Sequence, residues 1–268
     1  MTLNLNPAAN LFIGAAMAVS ALALHEAGHV LAVKFLGGGV DQIRVFPLGL
    51  AARFTGLEKL RPWERYAVYA AGAMANGAAA AWLFTVSRIS YIGVPWLETL
   101  AFYHLALGLF NLTPALPLDG GRVLRQFLSN RLGMRRANRA MARLGAWVGA
   151  ALMLLGLAQL ILYPYNITLL CAGLYIKRKN KAMAPYLEME FFKILAAKNA
   201  LSKTRRLPIK KVTLAGDATL KQAMGYLTMD SLTVFYIKEK ERVLWEGALL
   251  KHVFAYGLQG AVGDLLTD

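Results

Sequence analysis

The chain has 268 residues, 57% of them hydrophobic, and carries a formal net charge of +15 at neutral pH. So large an apolar share indicates a polytopic membrane protein, and the charge points to cytoplasmic loops facing anionic lipid rather than to nucleic acid, for which no binding motif is present. The single cysteine, Cys171, excludes a disulfide framework and a cysteine-based zinc site, so any zinc must use histidine and carboxylate ligands.

The first predicted span runs from about Ala8 to Leu36 and carries His25-Glu26-Ala27-Gly28-His29 in its inner half. Residues four apart share one face of a helix, so both imidazoles can bind one Zn²⁺. Glu26 is rotated away from them, within reach of a water at the metal but badly placed as a ligand. Ionisable groups inside a span are costly unless they act together. The motif therefore predicts a metal site rather than histidines satisfied by neighbouring carbonyls.

The segment after this span predicts a short hairpin or a re-entrant β-loop. Gly37-Gly38-Gly39 stops the helix, and Val40 to Thr55 is rich in β-branched and aromatic residues broken at Pro47-Leu48-Gly49. A second span from about Tyr66 to Val86 is rich in small residues, which let helices approach closely in lipid. The polar Asn76 within it is explained equally by an interhelical hydrogen bond or by a part in catalysis.

The third predicted span, about Trp96 to Leu112, breaks at a segment that starts at Asn111 and contains Pro114 and Pro117. Two prolines three residues apart forbid a continuous helix, and broken backbone at membrane depth is tolerated where it lines a cavity. This segment is a candidate site. His104, seven residues before Asn111 on the same face, is expected to pack rather than to function.

The distribution of basic residues orients the spans. An arginine-rich stretch at 122–143 precedes a fourth span at about Leu144–Leu162, and a short fifth apolar run at Ile167–Ile176 ends at Lys177-Arg178-Lys179. The positive-inside rule predicts five crossings, an outer N-terminus and an inner C-terminus. The ends of the first and third spans then lie at similar depth, which makes Asp119 the natural third ligand of a catalytic zinc that keeps one open position.

The polar tail divides into two parts. Met183 to Arg206 predicts a basic amphipathic helix that lies on the membrane surface or packs as a connector at 183–207, and a solvated linker explains the same residues equally well. Residues 208–268 predict a compact α+β unit with strands at 212–214, 233–237 and 243–246 and helices at 220–227 and 248–256. A unit this small is marginal alone and is expected to pair with a copy of itself or with the membrane domain at 1–182.

Two motifs give the chain a family resemblance. His25-Glu26-Ala27-Gly28-His29, together with Asn111-x-x-Pro114-x-x-Pro117-Leu118-Asp119-Gly120-Gly121, resembles the signature of the site-2 protease family of intramembrane zinc metalloproteases. The resemblance covers nearly the whole chain. It is nearest to the sporulation subgroup, which processes pro-sigma factor K, through Phe102-Tyr103, the 45–48 loop, the connector helix and a C-terminal single cystathionine-β-synthase-type (CBS) unit.

The resemblance implies a role for each matching residue. His25, His29 and Asp119 resemble the zinc ligands, Glu26 the general acid/base, and Asn111 an asparagine that contacts substrate backbone or the developing oxyanion. The loop around Pro47-Leu48-Gly49 resembles a re-entrant β-loop that takes substrate as an added strand. CBS-type units in the subgroup are linked to ATP sensing and to self-association.

Three departures from the family pattern stand in the sequence. The subgroup has a further span before the His-Glu-x-x-His helix, which is expected to be missing here. Gly72-Ala73 stands where the family often has Gly-Pro. Gly247 to His252 lacks the Thr and Asp that such units use to hold a nucleotide ribose, so ATP is a weak expectation.

The expected molecule is an α-helical polytopic membrane protein of about five spans, with a short re-entrant β-loop and a small C-terminal α+β CBS-type domain. Its expected location is the bacterial cell membrane, with the C-terminal domain cytoplasmic. The expected activity is zinc-dependent cleavage of a membrane-associated protein such as a pro-sigma factor. Expected partners are that substrate, a second copy joined through the CBS-type domain, and a membrane inhibitor protein.

A different class of function stays open on the sequence. A non-enzymatic zinc transporter or channel with a regulatory CBS-type tail would share the histidine-bearing span and the basic loops. Such a protein would line a path with acceptors along several spans, and only Asn76 and His104 are clearly polar inside spans apart from the ligand set. An inactive scaffold is disfavoured by the intact Glu26.

Overall fold

The computed structural model describes residues 7–46, 49–89, 95–163, 166–204 and 207–266. Two compact units are present. The first comprises the described residues up to Pro114 together with Leu118–Val123, and the second comprises Ala115–Pro117 with the described residues from Leu124 onward. The helices of the described chain are α1 (Pro7–Phe35), α2 (Pro62–Ile89), α3 (Pro95–Asn111), α4 (Asp119–Leu132), α5 (Met134–Leu162), α6 (Thr168–Thr204), α7 (Leu220–Met224) and α8 (Glu246–Tyr256), and its strands are β1 (Gly39–Phe46), β2 (Gly49–Thr55), β3 (Ile209–Leu214), β4 (Leu232–Ile237) and β5 (Arg242–Trp245).

Three helices of the described chain are long and apolar enough to cross a membrane, namely Ala9–Phe35, Pro62–Ile89 and Met134–Leu162. They correspond to the first, second and fourth predicted spans. The third predicted span is α3, which has only 17 residues. The fifth predicted run is the start of the long helix α6. Membrane crossing by these last two segments stays a prediction.

In the first unit, α1, α2 and α3 pack against one another. The predicted stop of α1 is confirmed, since Gly37 adopts a positive φ of 82° and the Gly38 N–H donates to the Val33 carbonyl at 2.9 Å. Such a left-handed glycine satisfies carbonyl groups at a helix end. The predicted hairpin is confirmed as well: β1 and β2 pair antiparallel, with a register shift between Val40 and Gln42. The turn residues Pro47 and Leu48 lie outside the described residues.

Helix α2 begins four residues before the predicted start at Tyr66. Pro62 occupies its first position, where the missing N–H is no loss, and the Glu64 carboxylate accepts the Arg61 N–H at 2.6 Å. The residues from Pro62 to Arg65, which lie before the predicted span, therefore form the capped first turn of the helix.

In the second unit, α5 and α6 pack closely along glycines. A Cβ added at Gly149 or Gly173 would lie 3.1 Å or 2.7 Å from the backbone carbonyl oxygen of the other residue. Asn180 adds a hydrogen bond from its amide nitrogen to the Ala142 carbonyl at 2.7 Å. This contact accords with the general role of small residues where apolar helices meet.

The C-terminal part of this unit forms a three-stranded sheet of order β3-β4-β5, with β3 parallel and β5 antiparallel to β4. All three predicted strands and both predicted helices are present, with ends shifted by a few residues. The predicted amphipathic helix is the second half of α6, and its Phe191 and Leu195 join the core around Phe235. This packing favours the connector over a helix on the membrane surface. The three domain boundaries expected from the sequence stay a prediction.

A buried ion pair ties α6 to α8 in this unit. The Lys198 ammonium lies 2.6 Å from the Glu246 carboxylate, and both side chains are 4% exposed. Lys198 also donates to the Thr228 carbonyl, and Glu246 accepts the Thr233 N–H. Burial lowers the pKa of Lys198, and the charge of Glu246 counters that effect.

Removing one member of this pair should destabilise the second unit. Lys198→Met leaves Glu246 buried without its cation, which costs about 3–5 kcal/mol. Lys198→Met combined with Glu246→Gln should recover part of the loss, because the neutral amide still accepts the Thr233 N–H. Denaturant unfolding of the detergent-solubilised chain measures the effect, with Lys193→Met, an exposed lysine of the same helix, as control. Equal stability of Lys198→Met and Lys193→Met would contradict the expectation.

Candidate metal centre

Three of the predicted site residues meet in the first unit. The Asp119 Oδ2 atom lies 2.9 Å from Nε2 of His25 and 2.9 Å from Nε2 of His29, and the two Nε2 atoms are 3.2 Å apart. The three residues are 2%, 3% and 5% exposed in the order His25, His29, Asp119. Three ligand atoms so close together and shielded from water can share one ion.

Local sequence explains how each ligand is placed. His25 and His29 lie one turn apart on α1, and their rings meet edge to face. Helix α3 ends at Asn111, and Asp119 is the first residue of α4, so the proline segment turns the chain and returns the carboxylate to the histidines. A Cβ on Gly120 would lie 2.0 Å from the Leu112 carbonyl oxygen. Glycine at this position therefore lets α4 start directly against the end of α3.

Gly72 on α2 provides the space for an ion. A Cβ at this position would lie 2.5 Å from Nε2 of His29 and 2.7 Å from Nε2 of His25. Any other side chain would enter the space beside both ligand nitrogens. Two imidazoles and one carboxylate are a donor set that suits catalytic Zn²⁺, which leaves a further position for water or substrate. The residues present therefore fit a zinc ion.

Outer contacts orient the ligands. The His29 Nδ1–H donates to the Val68 carbonyl at 2.7 Å, which leaves the Nε2 lone pair directed at the site. The Arg122 guanidinium lies 3.6 Å from Oδ1 of Asp119. Burial acts to raise the pKa of Asp119, but its contacts with His25 and His29 and the charge of Arg122 outweigh that effect and hold the pKa well below its usual range. The carboxyl is therefore ionised, as a metal ligand requires.

The two predicted catalytic residues, Glu26 and Asn111, have different surroundings. Glu26 follows His25 on α1 and is half-buried. The Asn111 amide nitrogen donates to the Leu107 carbonyl of its own helix at 3.0 Å. A contact of Asn111 with substrate would need its side chain to turn from this bond, and its role stays a prediction.

The sequence analysis did not identify Gly72 and Val68 as neighbours of the metal ligands, and it left the role of Asn76 open. These three residues are spaced by four along α2, so one face of that helix lines the site. The spacing of glycine and asparagine on a face rich in small residues is a signal that could have indicated this face.

Comparison with known proteins shows which family has this fold. The fold is similar to the solved site-2 protease from Methanocaldococcus jannaschii, with a TM-score of 0.52 and 30% identity over 67% of this chain and 80% of that chain. The chain belongs to the site-2 protease family. Residues 92–156 of this chain also match the sequence model of peptidase family M50.

Two curated proteins are similar to this chain, and the first of them is named as a zinc metalloprotease. A zinc metalloprotease of Methanocaldococcus jannaschii is 31% identical over 183 residues, which cover 67% of this chain and 52% of the relative. The stage IV sporulation protein FB of Bacillus subtilis is 29% identical over 137 residues, which cover 47% of this chain and 46% of the relative. The chain thus spans about half the length of these relatives. The apolar helices and the similarity to these relatives identify the chain as a membrane protein.

Proposed function

We propose that the chain is an intramembrane zinc metalloprotease that hydrolyses a peptide bond in a membrane-associated protein near the cytoplasmic face. The observation that carries this proposal is the meeting of His25, His29 and Asp119 around the space left by Gly72. Glu26, one residue after a ligand, completes the residues that such chemistry requires. The family and the names of the relatives support the same activity.

The roles of the residues follow from their chemistry. When bound, Zn²⁺ supplies Lewis-acid chemistry that acidifies an attacking water and polarises the scissile carbonyl. Glu26 accepts the proton of the attacking water and returns it to the leaving amine. The amide of Asn111, turned from Leu107, would donate to the oxyanion of the tetrahedral intermediate. His25, His29 and Asp119 would hold the ion in place.

The substrate must present extended backbone, because a helix holds its carbonyls in internal hydrogen bonds. The β1–β2 hairpin offers strand edges with which such a segment could pair. A pro-sigma factor is the substrate proposed here, and the distant likeness to the stage IV sporulation protein FB supports it. The C-terminal unit is proposed to be a cytoplasmic CBS-type regulatory domain that joins two copies, and a membrane inhibitor protein is a proposed partner. ATP at this unit has no support.

A zinc transporter or channel is not favoured. The sequence analysis identified Asn76 and His104 as polar residues within the apolar helices. Both belong to one hydrogen-bonded group with His25 and do not form a path across the protein. Relatives named zinc metalloproteases point the same way.

Removal of zinc should abolish proteolysis. We expect the full chain, purified and reconstituted in proteoliposomes with a membrane-tethered test protein, to lose cleavage when treated with a zinc chelator. Added Zn²⁺ should restore cleavage, because the ion acidifies the attacking water. Zinc entry into the same vesicles is followed with an enclosed zinc dye. Zinc uptake without cleavage would overturn the protease proposal and favour the transporter.

A further inference from the structure

The two oxygens of the Asp119 carboxylate have different partners. Oδ2 lies 2.9 Å from Nε2 of His25 and 2.9 Å from Nε2 of His29. Oδ1 lies 3.6 Å from Nη1 of Arg122, three residues further along α4. One oxygen therefore belongs to the ligand group, and the other is paired with a cation. This division matters because a carboxylate can bind a metal ion through one oxygen or through both.

The surroundings of this ion pair differ from those of a surface pair with the same spacing. Arg61 and Glu64 are also three residues apart, at 3.8 Å, but both of their side chains are more exposed than those of Arg122 and Asp119. The Asp119 side chain is 6% exposed, and that of Arg122 is 39% exposed. A carboxylate shielded from water responds more strongly to a neighbouring charge than an exposed one does. The guanidinium is therefore well placed to fix the orientation of this carboxylate.

The position of Arg122 within its helix supports the same conclusion. Asp119 is the first residue of α4, so Arg122 lies in the first turn. The N-terminal end of a helix carries a partial positive charge, which favours acidic side chains over basic ones. The stability of the helix alone does not account for an arginine at this place, whereas its contact with the Asp119 carboxylate does.

We propose that Arg122 is a positioning residue that keeps Asp119 a metal ligand through Oδ2 alone. By holding Oδ1, the guanidinium opposes a turn of the carboxylate that would bring both oxygens to the ion. Catalytic zinc takes three protein ligands and keeps a further position for water. A second oxygen from Asp119 would compete with water for that position. Arg122 thus acts on the open position through Asp119.

This inference rests on the metal site of the proposed function but not on proteolysis. An ion pair with a purely structural role would stabilise the start of α4 and would leave the number of oxygens bound to the ion unchanged. A positioning role changes that number when the arginine is removed. The two roles therefore differ in a property of the metal-loaded site that can be measured without any substrate.

The test is the visible absorption spectrum of the full chain, solubilised in detergent and loaded with Co²⁺ in place of zinc. The bands of Co²⁺ are strong when the ion has four ligands and weaken when it gains a fifth. We expect strong bands for the wild type and weakened bands for Arg122→Met, because both oxygens of Asp119 then bind. With zinc, cleavage by Arg122→Met should lose about 10- to 100-fold in kcat with little change in KM.

Two further variants separate positioning from a general loss of charge. Arg122→Lys keeps a cation three residues from Asp119 and should restore most of the band intensity. Arg139→Met removes the same charge from an exposed position of α5 and should keep the wild-type spectrum. If Arg122→Met does not fold, Arg122→Gln, which is uncharged and shorter than arginine, takes its place beside the wild-type spectrum.

The outcomes distinguish this inference from the proposals on which it rests. Weak bands in the wild type, or a folded Arg122→Met with the spectrum of Arg139→Met, would overturn the role of Arg122 alone. Failure of the wild type to bind Co²⁺ and Zn²⁺ would overturn the metal site and this inference with it. Spectra that follow the expectation in a chain that cleaves no protein would support this inference and contradict the protease proposal.

Discussion

Replacing Gly72 by alanine should remove zinc from the chain and with it all proteolysis. The new methyl group would lie 2.5 Å from Nε2 of His29 and 2.7 Å from Nε2 of His25, closer than real side chains approach. It would occupy the space beside both ligand nitrogens. The helix itself should gain from the change, since alanine favours a helix more than glycine does. We expect zinc affinity, measured by competition with a chromophoric chelator, to fall by about 100-fold, the upper end of the loss that changes around metal ligands cause.

Gly77 offers a matched control for this experiment. It lies on the same helix, and a Cβ added there meets nothing within 4 Å. Gly77→Ala should therefore bind zinc and cleave substrate as the wild type does. The comparison separates a filled metal site from a general effect of alanine on α2. If Gly72→Ala binds zinc as tightly as Gly77→Ala, the ion does not lie between His25 and His29, and the site proposed here is wrong.

The ligand group could be predicted from the sequence because each part has a local signal. The spacing of His25 and His29 by four places both on one helix face. The basic loops predict the direction of the spans, and this predicted direction places Asp119 at the depth of the two histidines. The structure places the three side chains within hydrogen-bond distance of one another.

The surroundings of the ligands could not be predicted in the same way. No local sequence pattern around Gly72 and Asn76 indicates which residues they face, because the contact between α1 and α2 is determined by tertiary packing. A glycine in an apolar helix indicates close packing but not that it makes room for an ion. His104 was expected to pack, because nothing along α3 shows that Asn76 lies opposite to it.

The predicted bounds of α2 and α6 were also too short, because charged residues at one end of each predicted segment continue the helix. Lys177-Arg178-Lys179 was taken as the end of a membrane segment, yet α6 continues through it to Thr204. Lysine and arginine are good helix formers. A basic cluster therefore indicates where a helix leaves an apolar environment, and it does not indicate where the helix ends. In the same way, Glu64 and Arg65 belong to the first turn of α2, although the predicted span begins only at Tyr66.

Glu26→Gln should retain zinc and lose cleavage. Glutamine has the size of glutamate but cannot accept a proton from the attacking water or return one to the leaving amine. Removal of a general acid/base lowers a rate by about 10²- to 10⁴-fold. Zinc content should be unchanged, because His25, His29 and Asp119 hold the ion without Glu26. Metal analysis of the purified variant and cleavage of a membrane-tethered substrate measure the two effects separately.

Glu98→Gln provides the comparison for this variant. Glu98 is partly exposed in the first turn of α3 and lies 3.6 Å from Arg88, so the same change of charge is made away from the ligands. This control should cleave at the wild-type rate. Loss of zinc in Glu26→Gln would show that Glu26 is needed to hold the ion, and its role as acid/base would have to be abandoned. Full cleavage by zinc-loaded Glu26→Gln would remove the mechanism, because no other residue has been assigned to carry the proton from the water to the amine.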